Sequence, residues 1–469
     1  MSRVVIVDSG VANLASVRSA FDGLGCAVSI ARRPREIDGA THLVLPGVGA
    51  FEPAIRALRQ SGLDRAILRS AAAGTPLLAI CLGLQLLTEG SDEAPGEAGL
   101  GLVSGRCERL PDDRRVPHLG WNGVMTDNGD PLLATGNAAF ANSYCLRAAP
   151  PGWRAAWTRH GVRFVAALAR DRVLACQFHP ELSGAYGRAL IRRWLDSSEA
   201  EGDRGPDEAC SGLALRVVPC LDVRRGEVVK GVRFQQLRRS GDPATLAARY
   251  EEQGADELVV LDVAASPDNA ATSLATLRAV RKVLSIPLIA GGGVRSVENA
   301  RALLNAGADK VSVNTAALTD PELLNRLAAA FGVQCVVLAI DARRFGGDSD
   351  GKDEGRWEAL VSGGRQTTGR DAVDWAREGA ARGAGEILLT SWDRDGTGDG
   401  CDLELLRAVS SAVPVPVIAS GGIGARSDFL AAARAGAAAV LAASIFHYGD
   451  DTARGVKTYL AEKGLRVRT

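Results

Sequence analysis

No run in this 469-residue sequence approaches the roughly 20 apolar residues that a helix needs to cross a bilayer, so no membrane partner is expected. The opening residues, MSRVVIVDSG, lack the charged-then-apolar pattern of a secretion leader. Net charge is missing too: 55 Lys+Arg offset 55 Asp+Glu. That balance argues against nucleic acid or a membrane surface as the main partner. Aromatic residues are scarce, at 5 %. The nine cysteines are scattered and contain no CxxC pair, so neither a disulfide framework nor a zinc site is indicated, and a cytoplasmic location fits. No cofactor and no metal is expected. What the chain does have is glycine, 54 residues, as loop-rich α/β enzymes do. Its length suits two domains.

The organising stretch is VPCLDVRRGEVVK, residues 218–230. A short apolar run, the mark of a buried parallel strand, ends at Asp222. A carboxylate there does nothing for a strand, but the end of a strand is where a (β/α)8 barrel keeps its chemistry. Taken alone, Asp222 reads equally as a loop cap. The stretch recurs, however. VVPCLDVRR returns as VVLAIDARR, ending at Asp341; IPLIAGGGVRS returns as VPVIASGGIGARS; AGADKVSVNTAA returns as AGAAAVLAASIF. The offset is nearly constant, stretched by a polar insertion near 345–355. Two similar halves of alternating strands and helices predict one eight-stranded barrel over 213–469. Each half carries a Gly-rich turn after a strand and then a small polar residue after the next strand. Backbone N–H groups in such turns are anion sites. Two of them on one face suit a ligand with a phosphate at each end, and two opposed aspartates suit acid/base work on its centre.

Residues 1–199 predict an open, mostly parallel sheet with helices on both faces. Strands are expected at 4–8, 27–30, 42–47, 77–81 and 173–179, and helices at 13–24, 51–60 and 63–73. LLAICLGLQLL runs a buried strand into a helix with Cys81 at the junction, which exposes the thiol at a helix N-terminus that favours thiolate. Neighbours two residues away from such a nucleophile must be small; Gly83 fits and Ala79 fits less well. QFHPE supplies His179 as base and Glu181 to orient it. HLVLPGVGAF supplies Gly47 and Gly49 for an oxyanion. Cys26, Cys107, Cys145 and Cys176 read as core residues. Residues 200–212 are polar and acidic and read as a tether.

Two resemblances follow from these strings. PGVGAF, ICLGLQLL, PHLGWN and QFHPE make 1–197 similar to the class I glutamine amidotransferases. PCLDV, VVKGVRF, GADELVVLD, GGGVRS, ADKVSVN, AIDARR, GEILLTSWDRDGTGDG, IASGGIG and LAASIFH make 213–469 resemble the cyclase part of the imidazole glycerol phosphate synthases. Together they resemble the fused glutaminase–cyclase form of that family, which acts in histidine biosynthesis. The resemblance implies small-molecule substrates, glutamine and a bisphosphorylated ribotide, and an internal domain–domain interface. It implies that Cys81, His179 and Glu181 hydrolyse glutamine, with Gly49, Gln85, Ser143 and Tyr144 lining its pocket. It implies that Asp222 and Asp341 are the acid/base pair, with Lys230 near the ligand. Gly293, Asn314 and Thr315 match one phosphate site; Asp395, Gly396, Gly421, Gly422, Ala443 and Ser444 match the other. Arg216, Glu257, Lys310 and Glu386 match a charged gate through which ammonia enters the barrel; a structural salt-bridge ring is the plainer alternative. The sequence departs from the family at Ala79, Asn142, Leu182, Cys401 and Ala438. In the family a basic residue at the Leu182 position faces the carboxylate matching Asp309, so Asp309 is expected to pair within its own domain or stay wet. The alternatives are an ammonia-only cyclase with a degenerate, scaffold-like glutaminase, and a related half-barrel isomerase, which leaves 1–199 unexplained.

Overall fold

The computed structural model describes residues 2–10, 13–126, 130, 132–196, 212–232, 235–263, 270–345, 355–364 and 366–468. The expected tether, apart from Gly212, and most of the polar insertion lie outside these residues. Contacts divide the chain into two compact units that meet in sequence between Leu213 and Ala214.

In the first unit the expected strands are Arg3–Val7, Ala27–Ala31, His42–Gly47, Leu77–Cys81 and Val173–Cys176. They pair in parallel, with Leu77–Cys81 between His42–Gly47 and Val173–Cys176. The expected helices are Leu14–Asp22, Phe51–Ser61 and Leu63–Ala72. Side chains alternate across a strand, and the alternation builds two cores. Val5, Val7, Leu43 and Leu45 pack with Phe51, Ile55 and Leu58. Val4, Ile6, Val44 and Leu78 pack with Phe21, Leu190 and Trp194 on the other face. Helices therefore cover both faces.

The parallel part is only half of the sheet. Val162–Arg170, Arg154–His160, His118–Thr126 and Gly136–Asn142 extend it antiparallel to nine strands. Sequence patterning missed this half for a physical reason. Val162–Arg170 is buried over most of its length, so it lacks the apolar/polar alternation of a half-exposed antiparallel strand. The strand expected to run to 179 ends at Cys176, with Gln177 N making one last bond to Ala166 O of the neighbouring strand at 2.8 Å.

The second unit is a closed barrel of eight parallel strands: Arg216–Arg224, Leu258–Asp262, Leu288–Gly291, Lys310–Val313, Val336–Arg344, Glu386–Ser391, Val417–Ser420 and Ala439–Ala442. The last pairs back onto the first. The internal repeat holds element by element. The first strand is followed by an antiparallel hairpin, Glu227–Val232 with Gln235–Gly241. The fifth is followed by its counterpart, Trp357–Val361 with Gln366–Asp371. The next helices, Pro243–Glu252 and Ala372–Ala381, are each N-capped by an aspartate, Asp242 or Asp371. Val218, Cys220, Val259, Val337 and Leu388 belong to one core cluster drawn from strands all round the barrel. Strand alternation puts Arg216, Val218, Cys220 and Asp222 on one face, in a line along the interior.

Candidate active sites

Cys81 ends its strand and opens the helix Leu82–Leu87 with φ 54° and ψ −108°, a conformation that costs a non-glycine residue of order 1–3 kcal/mol. The surroundings hold it there. Gly47 stands opposite Cys81 in register, and a Cβ on Gly47 would lie 2.6 Å from the Leu82 Cβ. A Cβ on Gly83 would lie 2.0 Å from the Leu45 carbonyl oxygen. Glycine is thus required at 83, as expected, while Ala79 is a buried member of the core. Gly49 follows at φ 109°.

His179 Nδ1 lies 2.8 Å from Glu181 Oε1, both buried. The backbone of His179 is tied at both ends: its N–H donates to Ala139 O at 2.9 Å, and its carbonyl accepts from the Ser183 hydroxyl at 2.6 Å. Burial alone would lower the imidazole pKa, but the negative charges of Cys81 and Glu181 outweigh it and raise the pKa well above its ordinary value. A buried imidazole held by a carboxylate beside a cysteine suits a base that serves a cysteine nucleophile. Gln85 and Tyr144 come together here: Gln85 Nε2 donates to the Tyr144 carbonyl at 3.2 Å. Asn142 donates to the same carbonyl at 3.1 Å, and its Oδ1 lies 3.2 Å from His118 Nδ1. Asn142, where the sequence departs from the family, thus ties Tyr144 to His118. The backbone carbonyl of Ser143 accepts from Leu110 N at 2.9 Å.

One residue that the sequence did not single out is Gln177. Fully buried, it points Nε2 at the Cys81 sulfur, 3.7 Å away. Its place two residues before His179 was the available signal.

In the barrel, Asp222 and Asp341 occupy equivalent registers, beside Leu261 and Thr390 of the neighbouring strands. Asp222 Oδ1 lies 3.6 Å from Cys220 Sγ. Asn314 Nδ2 donates to Asp341 Oδ2 at 3.0 Å. Burial, and then the charge of Asp395, push Asp341 up to about 7 against the partial relief from Asn314. Lys230 lies in the hairpin after the first strand, opposite Arg238.

The glycine turns match between the halves. A Cβ on Gly292 would lie 2.3 Å from Asp262 O; one on Gly421 would lie 2.7 Å from Ser391 O. Gly293 and Gly422 follow at φ 71° and 86°. Gly422 also packs against the loop holding Asp395 and Gly396, accepting from Gly400 N at 2.7 Å. Asn314 and Ala443 precede Thr315 and Ser444 with nearly the same φ, −125° and −124°. The Thr315 hydroxyl accepts from Ser362 N at 3.0 Å.

The four gate candidates form a closed ring of alternating charge. Arg216 pairs with Glu257 at 2.6 Å and with Glu386; Lys310 pairs with Glu386 at 2.7 Å and with Glu257. All four are buried. Two cations meeting two anions leave no net charge, which makes such burial tolerable. Asp309 pairs within its own unit as expected, with Arg281 at 3.3 Å, and accepts from Leu288 N at 2.9 Å. Among the described residues no group of three or more His, Cys, Asp or Glu is arranged to hold a metal, and no helix is long and apolar enough to cross a membrane.

A cysteine elbow with an oriented histidine, on a sheet of this order, and a two-fold repeated (β/α)8 barrel define the class: a glutamine amidotransferase unit joined to a barrel enzyme. Residues 5–196 match the family model described as glutamine amidotransferase class-I. Residues 216–452 match the one described as histidine biosynthesis protein. The chain belongs to the histidine biosynthesis protein family, as a glutamine-dependent enzyme with the architecture of the fused imidazole glycerol phosphate synthases.

Proposed function

We propose that the chain is an imidazole glycerol phosphate synthase in which 1–199 is the glutaminase, 200–212 a tether and 213–469 the cyclase. The Cys81 thiolate attacks the side-chain amide of glutamine. His179 gives its proton to the departing nitrogen, and ammonia leaves. Water, deprotonated by His179, then hydrolyses the glutamyl thioester to glutamate. Backbone N–H groups of the Gly47–Gly49 loop carry the oxyanion. Ammonia passes the ring of Arg216, Glu257, Lys310 and Glu386 and follows the barrel interior towards Asp222.

There it reacts with phosphoribulosyl-formimino-aminoimidazole-carboxamide ribotide. Imidazole glycerol phosphate and aminoimidazole carboxamide ribotide result. The two matched glycine turns take the terminal phosphates. Asp341, raised to about 7, is partly protonated at neutral pH and serves as the acid, with Asp222 as the base.

The observation that carries this reading is the bond from His179 Nδ1 to Glu181 Oε1 beside the strained Cys81. A scaffold domain has no use for an oriented base at a strained nucleophile, and this speaks against the ammonia-only alternative. The experiment is Cys81→Ala. Glutamine-dependent turnover is expected to vanish while ammonia-dependent turnover stays largely intact. Loss of both in a folded variant would refute the division of labour.

A further inference from the structure

A chain of amides whose direction is determined ends at the Cys81 sulfur. The Tyr144 carbonyl is a backbone oxygen and only accepts, so the Gln85 side chain must turn its NH2 towards it, at 3.2 Å. The other proton of that NH2 points to Gln177 Oε1, also at 3.2 Å. With its oxygen committed there, Gln177 has only its NH2 to offer to the Cys81 sulfur at 3.7 Å. The order cannot be reversed by flipping an amide, because a flipped Gln85 would set oxygen against the Tyr144 carbonyl. Gln177 is fully buried, and its own N–H is engaged by Ala166 O at 2.8 Å. Its carboxamide is therefore held between Gln85 and Cys81 with a donor towards the sulfur, an orientation that favours the anionic form.

Resting on the reading of Cys81 as the glutaminase nucleophile, we propose that Gln177 is a further catalytic residue: its carboxamide N–H stabilises the Cys81 thiolate, and Gln85 fixes it in the donating orientation. The charged groups around the sulfur are His179 and, behind it, Glu181. The 46–50 loop and the helix Leu82–Leu87 carry none. The two donors differ in kind. His179 must give up its proton during the reaction, whereas Gln177 keeps its own. Gln177 therefore offers the same donor to the thiolate before attack and again when hydrolysis of the thioester releases it.

The test is Gln177→Met, similar in size and unable to donate. Cys81 ionisation is followed by ultraviolet thiolate absorbance, as the difference from Cys81→Ser in the same background. The midpoint is expected to move up by about one to two pH units, and kcat for glutamine hydrolysis to fall by about tenfold or more. Gln177→Glu, which sets a carboxylate near the sulfur, should move the midpoint further. Wild-type near-ultraviolet circular dichroism and an unshifted thermal transition of the glutaminase unit show that each variant is folded. An unchanged midpoint in folded Gln177→Met overturns the proposal. If Gln177→Met does not fold, Gln177→Asn, which draws the donor back by one methylene, decides: the midpoint is again expected to move up, and an unchanged midpoint overturns the proposal. Failure of the underlying reading looks different, since the wild type itself would then release no glutamate.

Discussion

Replacing Asp341 by asparagine should make the barrel more stable at neutral pH while stopping its chemistry. The folded protein holds this carboxyl near 7, because burial and the neighbouring Asp395 penalise its charge. In the unfolded chain it titrates near 3.9. The folded state therefore keeps a proton that the unfolded state has lost between about pH 4 and pH 7. Wherever the folded state binds more protons, stability falls as pH rises. Below about pH 4 the penalty is absent; above about pH 7 it is complete. A gap of roughly three units at about 1.4 kcal/mol each sets a ceiling of about 4 kcal/mol. The side chain is partly open to solvent, so screening reduces the expected value to about 2 kcal/mol. Asparagine is isosteric and keeps the oxygen to which Asn314 donates, so little packing is lost. The assay is urea unfolding of both proteins from pH 4 to pH 9. Their stabilities should coincide near pH 4, and the variant should pull ahead to a plateau above about pH 7. A constant difference across the range, or one that is largest in acid, would mean that the carboxyl is not held protonated and that Asp341 lacks the acid role assigned to it.

Two further substitutions probe other parts of the account. Lys310→Met leaves the buried Glu257 and Glu386 with Arg216 alone; one uncompensated buried charge should cost about 3–5 kcal/mol in barrel unfolding. A cost under about 1 kcal/mol would show the ring to be well hydrated. Gly83→Ala sets a methyl 2.0 Å from Leu45 O, so the elbow must open. Displacing the nucleophile by about 1 Å should cost roughly 10²-fold in glutamine hydrolysis, with ammonia-dependent cyclisation preserved as the control.

What the sequence made legible was whatever local chemistry demands. Cys81 stood out because a buried apolar run met a helix at a residue with a small neighbour. Asp222 and Asp341 stood out because the same strand was written twice. The parallel strands were readable as continuous apolar runs; the antiparallel half was not, because its central strand is buried on both faces. Gln177 was hidden because its partners, Cys81, Gln85 and the Tyr144 carbonyl, are brought to it only by the fold. The acidity of Asp341 was hidden in the same way, being set by Asp395 and by burial. The four gate candidates could be named by resemblance, but their closure into a ring of alternating charge is a property of the fold, which brings together strands one, four and six and the residue before strand two.

The central claim is that ammonia freed at Cys81 reaches the barrel without mixing with the solvent. Supplying amide-labelled [15N]glutamine and the ribotide, with a large excess of unlabelled ammonium, tests it most directly. The account predicts imidazole glycerol phosphate that carries the 15N label nearly throughout. Label diluted to the proportion in bulk ammonium would contradict it.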